Sequence, residues 1–302
     1  MRAKILMLSD SLNARALLRT PQQAISDLAV AFGHSFIMKD RQLDGTSFSL
    51  EAEEAQAVLA AGSEDALLKV FDARVRLSVL ALPQGLKDFS LLRIPEFPTL
   101  TFVSPLKPGF DCAVLAARTT LKAAGGQEAM VWAMASGEET GQWEEAVSKA
   151  ASPYALSAPK TLSLSAAVSK PLQFPQQQHI FLADSDAAGL MLGLYRGLSG
   201  AGLAHSVYLG EGELKVYLAG GVPGYEARLF DALNATTALI DGGLKLKKEA
   251  GCLQASVGNV LASGWRARDM DIEGNAVGDD QIAALLGEQI DLAGSLMQRF
   301  PG

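Results

Sequence analysis

Short apolar runs alternate with amphipathic segments along this chain, and this alternation constrains the fold more than any other feature of the sequence. Residues 5–8, 76–80 and 100–103 are largely apolar runs of strand length. Residues 25–32 instead repeat their apolar side chains at the spacing of one helix face. Strands that alternate with helices predict an α/β fold, in which a sheet carries helices on both faces.

Other segments have less decisive patterns. Residues 51–61 and 127–151, which are rich in alanine and glutamate, favour helices. The runs at 110–116 and 161–168 favour short strands. Residues 245–248 are the nearest the chain comes to a basic cluster, and their pattern is typical of a solvated helix face.

Charge and cysteine content limit the partners and the compartment. The formal net charge is −7, which disfavours nucleic acid because binding to its phosphates depends on clustered cations. No apolar stretch approaches the about 20 residues that span a bilayer, so we expect no membrane partner. The first ten residues predict a buried strand rather than a signal peptide. Cys112 and Cys252 form no metal or redox motif, and they suit a reducing compartment, so we expect a cytoplasmic protein.

Three stretches of the C-terminal half carry a resemblance to a known family. They read G-A-G-L-A-H-S-V-Y-L-G at 200–210, N-A-T-T-A-L-I-D-G-G-L-K-L at 234–246 and V-L-A-S-G-W-R-A-R-D at 260–269. In the same order, they resemble the motif G-x-L-G-L-A-P-S-A-N-I-G, a helix that begins N-P-T-A, and a helix that ends V-L-x-x-G before R-T-x-D. These motifs are typical of the β-decarboxylating dehydrogenases that act on isocitrate, isopropylmalate and tartrate.

The resemblance implies the isocitrate/isopropylmalate dehydrogenase-like fold, which has two lobes and a central mixed sheet flanked by helices. Two upstream segments, S-P-L-K-P-G-F-D at 104–111 and S-L-S-A-A-V-S-K at 163–170, are also similar to family segments. The large lobe would then consist of residues 1–99 together with 201–302. The small lobe would consist of residues 100–200.

The resemblance also implies a homodimer. Residues 187–199 are small and apolar on several faces, as expected of a helix that is buried between subunits. In the family the matching helix lies at the dimer contact. The stretch that matches the family's intersubunit clasp, residues 119–137, is shortened.

The metal-binding residues of the family are replaced in this sequence. The family uses Mg²⁺ or Mn²⁺ to polarise the oxygens of a 2-hydroxy acid, and two aspartates of the motif G-D-I-L-S-D supply the ligands. Ala188 and Leu192 stand at those two positions. Asp184 and Asp186 lie just upstream, where an N-terminal helix cap is a simpler interpretation than a shifted metal site. We therefore predict no metal.

The proton-transfer residues of the family are also replaced. The family lysine in S-V-D-K-A-N aligns with Ala166. The motif R-E-N-T-E-G-x-Y aligns with residues 116–125, which contain no tyrosine. Loss of a group of this kind typically costs orders of magnitude in rate, so we predict no catalytic residue.

The substrate-binding arginines of the family are retained only in part. One of them aligns near Arg76, or near Arg74, and a second aligns with Ala66. The arginine of R-E-N-T aligns with Ala116, two residues before Arg118. Arg76 and Arg118 are therefore the candidate substrate-binding residues.

The nucleotide site of the family is largely absent. The loop E-P-V-H-G-S-A-P-D-I-A-G aligns with residues 218–229 and places Gly221 at the histidine position. The glycine-rich turn G-D-G-I-G-P-E aligns with residues 9–15, which contain no glycine, so the backbone would approach a phosphate less closely. Asn234 is the one candidate cofactor contact, and we predict no cofactor.

The sequence leaves three functions open. The preferred one is a catalytically degenerate member, a pseudoenzyme that acts by binding, as a regulatory or scaffold partner of an active paralogue or as a structural homodimer. The alternative is an NAD(P)- and Mg/Mn-dependent oxidoreductase on a 2-hydroxy acid. Its rebuilt site would use Arg76, Arg118, Lys122, Asp184 and Asp186. A small-anion binder with a basic pocket is the third.

Overall fold

The structure is a computed structural model and describes most of the chain. The described residues are 1–43, 50, 53–82, 99–124, 129–134, 145–146, 148–150, 160–175, 177–200, 202–222, 224–270 and 272–299.

Ten of the described strands form one sheet, and a further pair forms a small parallel ribbon. The strands are β1 Arg2–Ser9, β2 Ser35–Gln42, β3 Ala57–Ala61, β4 Val75–Ala81, β5 Leu100–Pro105, β6 Ala129–Met134, β7 Lys160–Leu162, β8 Gln178–Ala183, β9 Leu203–Leu209, β10 Lys215–Ala219, and in the ribbon β11 Trp265–Ala267 and β12 Asn275–Val277.

Helices cover both faces of the sheet. They are α1 Leu12–Leu17, α2 Arg19–Phe32, α3 Glu64–Leu68, α4 Phe110–Ala123, α5 Leu164–Gln173, α6 Ser185–Ser199, α7 Leu229–Ala238, α8 Lys247–Ala262 and α9 Asp279–Arg299. A π-helical turn, Leu239–Gly243, continues α7. The prediction of an α/β fold with a large mixed sheet flanked by helices is confirmed.

Strands that come from the same part of the sequence lie next to one another in the sheet. The order is β2-β1-β3-β10-β9-β4-β5-β8-β6-β7. The first six strands come from residues 1–99 and 201–302, and the last four come from residues 100–200. Strands β2, β1, β3 and β10 are parallel to one another, as are β5, β8, β6 and β7, while β9 and β4 join the two groups by antiparallel pairing.

The two faces of the sheet centre can be assigned from the strand register. Arg76 of β4 lies opposite Tyr208 of β9, and Tyr208 packs with α3 in one apolar cluster. We call this the cleft face. Val75 lies on the other side, because successive strand residues alternate between faces, and it packs against α4 in a separate cluster. We call this the back face.

The helix and strand predictions for residues 51–61, 127–151, 110–116 and 161–168 are wrong in whole or in part. Residues 57–61 form the buried strand β3 rather than a helix, because a short apolar run does not by itself distinguish a buried strand from a buried helix. Residues 129–134 form β6, while residues 145–146 and 148–150 are helical. The remainder of the helix predicted over 127–151 lies outside the described residues.

In the other two segments, a strand is predicted where the structure has mostly helix. Residues 110–116 begin α4, whose buried face continues through Ala117, Thr120 and Leu121 at helical spacing. Of the strand predicted over 161–168, only the first residues belong to β7. Ser163 then caps α5 by accepting a hydrogen bond from the Ala166 N–H at 3.3 Å.

The C-terminal helix α9 is amphipathic and closes the main core. It buries Ile282, Leu286 and Ile290, which are four residues apart, and it packs against α2 and α8. Among the residues that the structure describes, no helix is both long and apolar enough to cross a membrane.

Candidate functional site

The candidate substrate arginine Arg76 is buried between α3 and α6 on the cleft face. Its Nη1 donates to both carboxylate oxygens of Glu64, at 3.0 and 2.9 Å. Its Nη2 lies 3.5 Å from the carbonyl oxygen of Ser185, at the start of α6. The side chain of Arg76 is 4% exposed and that of Glu64 is 26% exposed. The guanidinium is thus held by a carboxylate of the same chain.

The local sequence explains why Glu64 reaches this position. Ser63 caps α3 by accepting a hydrogen bond from the Ala66 N–H at 3.1 Å, which makes Glu64 the first helical residue. A carboxylate is favoured in the first turn of a helix by the helix dipole. A buried arginine requires such a partner, because an unpaired buried charge is strongly unfavourable.

Tyr208 borders this ion pair and does not add charge to it. Burial, and to a smaller extent the negative charge of Glu64, raise the pKa of its phenol. The hydroxyl is therefore protonated at neutral pH. The buried Nε of Arg76 has no acceptor among the described residues.

The positions aligned with the metal-binding aspartates lie in the apolar core. Ala188 and Leu192 of α6 are both fully buried. Asp184 is the N-cap of α6 and accepts a hydrogen bond from the Ala187 N–H at 2.7 Å, which confirms the cap interpretation. Asp186 is exposed in the first turn. The described part of the chain contains no group of three or more His, Cys, Asp or Glu side chains that could hold a metal ion.

The structure does not bring the two candidate arginines together. Arg118 is exposed on α4, and α4 packs on the back face through Ala116 and Ala117. Arg76 points to the cleft face, so the sheet separates the two side chains. The alternative candidate Arg74 forms an ion pair with Glu211.

The segments aligned with the nucleotide site meet beside a cleft of about 390 Å³, but polar groups of both segments bond to other parts of the chain. Asp10 accepts a hydrogen bond from the Ser63 N–H at 2.6 Å. A side chain at Gly62 would collide with the Asp10 carboxylate. The Tyr225 hydroxyl donates to the Gly193 carbonyl at 3.2 Å. The cleft is lined by Ser11, Asn13, Ala14, Leu17, Gly62, Ser63, Tyr225, Glu226 and Ala227.

The candidate cofactor residue Asn234 lies outside that cleft. Its side-chain amide is 2.9 Å from Nδ1 of His205. Burial lowers the pKa of His205 to about 4, so the imidazole is neutral at pH 7 and its Nδ1 accepts a hydrogen bond from the amide. Asn234 borders a separate cavity of about 80 Å³, well below the roughly 300 Å³ at which small-molecule sites begin.

A buried ion pair links the elements around these clefts, and the sequence gives no sign of it. Arg196 of α6 donates to Asp231 of α7 at 2.6 Å, and both side chains are 0% exposed. Asp231 also accepts hydrogen bonds from the N–H groups of Ala204 and Arg228, at 2.7 and 2.8 Å. Glu64 was likewise missed. No periodic spacing connects either pair, because each depends on contacts between distant elements.

The chain matches no protein-family model and no curated protein. The resemblance to the β-decarboxylating dehydrogenases therefore rests on the motifs quoted above and on their order in the sequence.

Proposed function

We propose that this protein is a non-catalytic relative of the isocitrate/isopropylmalate dehydrogenases that acts by binding, as a homodimer. The single observation that carries the proposal is the Arg76–Glu64 ion pair. In a site for a 2-hydroxy acid, an arginine at this position would receive the substrate carboxylate. Here Glu64 already supplies both oxygens, so a substrate would have to displace a carboxylate fixed on the same lobe.

The division of the sheet supports the two-lobed architecture of this proposal. Six neighbouring strands derive from residues 1–99 and 201–302, and the remaining four derive from residues 100–200. These are the proposed large and small lobes. Arg76 lies on β4, the strand at the boundary between them.

The aligned catalytic positions support the loss of chemistry. Ala188 and Leu192 are packed in the core, where oxygen ligands would be needed for Mg²⁺ or Mn²⁺. The residues of the alternative rebuilt site are divided between the two faces, because Arg118 and Lys122 lie on α4 whereas Arg76 points to the cleft face. Proton transfer requires groups within hydrogen-bond reach of one substrate.

A turnover assay tests the loss of chemistry. We expect no reduction of NAD⁺ or NADP⁺ above the protein-free rate when wild-type protein is given malate, tartrate, isocitrate or isopropylmalate with Mn²⁺. The readout is nicotinamide absorbance, with an active dehydrogenase as the positive control. Reduction that depends on both protein and Mn²⁺, and that is lost in Arg76→Met, would establish the alternative oxidoreductase.

An exposed apolar stripe on α6 supports the homodimer. Leu190, Leu194 and Leu198 are exposed, and their spacing of four residues places them along one side of the helix. The neighbouring helix α5, which accepts a hydrogen bond from Tyr195 through the Val168 carbonyl at 2.7 Å, adds exposed Leu172. A two-fold interface is self-complementary, so one stripe can pack against its own copy.

Charge placed on this stripe tests the dimer. We expect the double variant Leu190→Glu/Leu194→Glu to be monomeric, because a symmetric contact would bring the introduced carboxylates together in an apolar interface. Sedimentation equilibrium of wild-type and variant protein provides the measurement. Leu292→Glu is the matched control, since Leu292 is 57% exposed and Leu190 is 59% exposed. A wild-type monomer, or dissociation by Leu292→Glu alone, contradicts this interface.

A further inference from the structure

The back face of the sheet carries a groove of about 530 Å³ between α4 and the π-helical turn. Lys215 at its floor pairs across strands with Leu209, and Leu209 pairs with the back-face residue Val75. Because paired residues on neighbouring strands point to the same face of the sheet, the groove lies away from Arg76. We call it the lysine groove. It is lined by Ala55, Gln56, Lys122, Leu209, Gly212, Glu213, Leu214, Lys215, Gly242, Gly243 and Lys245.

Three lysines from separate segments converge on this groove. Lys215 opens β10, Lys122 lies in the last turn of α4, and Lys245 follows the π-helical turn. None of the three forms an ion pair with another described residue. Burial lowers the pKa of Lys215, and the positive charges of Lys122 and Lys245 lower it further. Lys122 and Lys245 are therefore each close enough to Lys215 to repel its ammonium group.

The backbone around the groove holds this arrangement in place. Lys245 has a φ of +60°, a left-handed conformation that costs a residue with a side chain about 1 kcal/mol or more. It precedes α8 rather than lying on it, so the solvated helix face predicted for residues 245–248 is wrong for this lysine. A side chain at Gly242 would approach the Tyr217 hydroxyl to 2.9 Å, so glycine lets the π-helical turn pass close to β10.

The composition of the groove suits an anion that carries phosphate. Its lining has three lysines, no arginine and a single acidic residue, Glu213. Lysine binds phosphate as a point charge, without the bidentate geometry that arginine offers to carboxylate and phosphate alike. The volume falls within the range of about 300–1,000 Å³ that is typical of small-molecule sites.

We propose that the lysine groove is a binding site for a small polyanion that carries two linked phosphates. The shared chemistry is the diphosphate, whether free or as part of a nucleotide. Its charge would offset the repulsion that Lys122 and Lys245 exert on Lys215. The inference goes beyond the proposed function and is independent of it, since it uses no residue of the cleft face.

Calorimetric titration with inorganic pyrophosphate tests the site. We expect saturable binding by wild-type protein that weakens as ionic strength rises from about 0.01 M to about 0.15 M. Lys215→Met should weaken binding by at least about tenfold, because a charge in contact with the ligand is removed. Lys245→Gly should also weaken it, and glycine tolerates the left-handed backbone at this position. Lys69→Met, which removes one exposed lysine next to α3 on the cleft face, is the matched control and should bind like wild type.

A second titration with ADP distinguishes the two sources of diphosphate. Tighter binding of ADP than of pyrophosphate would assign the groove to a nucleotide, and tighter binding of pyrophosphate would assign it to free diphosphate. The proposal is overturned if neither probe binds wild-type protein, or if Lys215→Met and Lys69→Met bind with equal affinity while both retain wild-type thermal unfolding. Either result leaves the turnover assay, and hence the proposed function, unaffected.

Discussion

Asp231→Ala is expected to lower the free energy of unfolding by about 3–5 kcal/mol, the range measured when one partner of a buried ion pair is removed. The substitution leaves the guanidinium of Arg196 without a carboxylate in a site where both side chains are 0% exposed. It also removes the acceptor for the N–H groups of Ala204 and Arg228. Urea unfolding should show a lower midpoint with an unchanged slope.

The exposed ion pair between Arg15 and Asp40 supplies the matched control. Its nitrogen–oxygen distance is 3.5 Å, and the two side chains are 59% and 44% exposed. Asp40→Ala should therefore cost less than about 1 kcal/mol. If Asp231→Ala and Asp40→Ala unfold at the same urea concentration, the Arg196–Asp231 pair does not stabilise the packing of α6 against α7.

Glu64→Ala is expected to lower the free energy of unfolding by about 2–3 kcal/mol, the typical cost of losing hydrogen bonds to a charged group. The variant leaves Arg76 buried with only the weak contact to the Ser185 carbonyl. It should also create a space beside the guanidinium that a small carboxylate can fill. Added formate or acetate should therefore raise the melting temperature of the variant, because a ligand of the folded state stabilises it.

Asp65→Ala is the control for Glu64→Ala. Asp65 occupies the same first turn of α3, so its replacement removes a comparable interaction with the helix dipole. Arg76 pairs with Glu64 and not with Asp65, so this replacement leaves the ion pair intact. A melting temperature of Asp65→Ala that responds to formate as strongly as that of Glu64→Ala would show that the rescue does not occur at Arg76.

The sequence predicts the fold class because the sheet depends on local patterns. The apolar runs at 5–8, 76–80 and 100–103 lie within β1, β4 and β5, and their strand length and buried character follow from neighbouring residues alone. The errors at 57–61 and 110–116 arise where small residues suit both a strand and a helix. There the partner element decides the conformation: β3 lies between β1 and β10.

The candidate site was less predictable because its contacts join distant parts of the chain. The resemblance to the family motifs predicts Arg76 as a candidate substrate-binding residue, and capping preferences predict Asp184 as a helix N-cap. Each of these predictions depends on a single position. The partner Glu64 lies twelve residues before Arg76 on another element, and no sequence periodicity reports that pair. The lysine groove could not be predicted for the same reason, because only the sheet and the helices that pack on it bring together Lys122, Lys215 and Lys245.

The Arg76–Glu64 pair makes a direct prediction about the unmodified protein. In wild-type protein Nη1 of the guanidinium is already bound by Glu64, and Ala188 and Leu192 stand at the positions that align with the family's metal ligands. Calorimetric titration of wild-type protein with malate in the presence of Mn²⁺ should therefore give only the heat of dilution. Saturable, Mn²⁺-dependent binding of malate that is abolished by Arg76→Met would contradict the account.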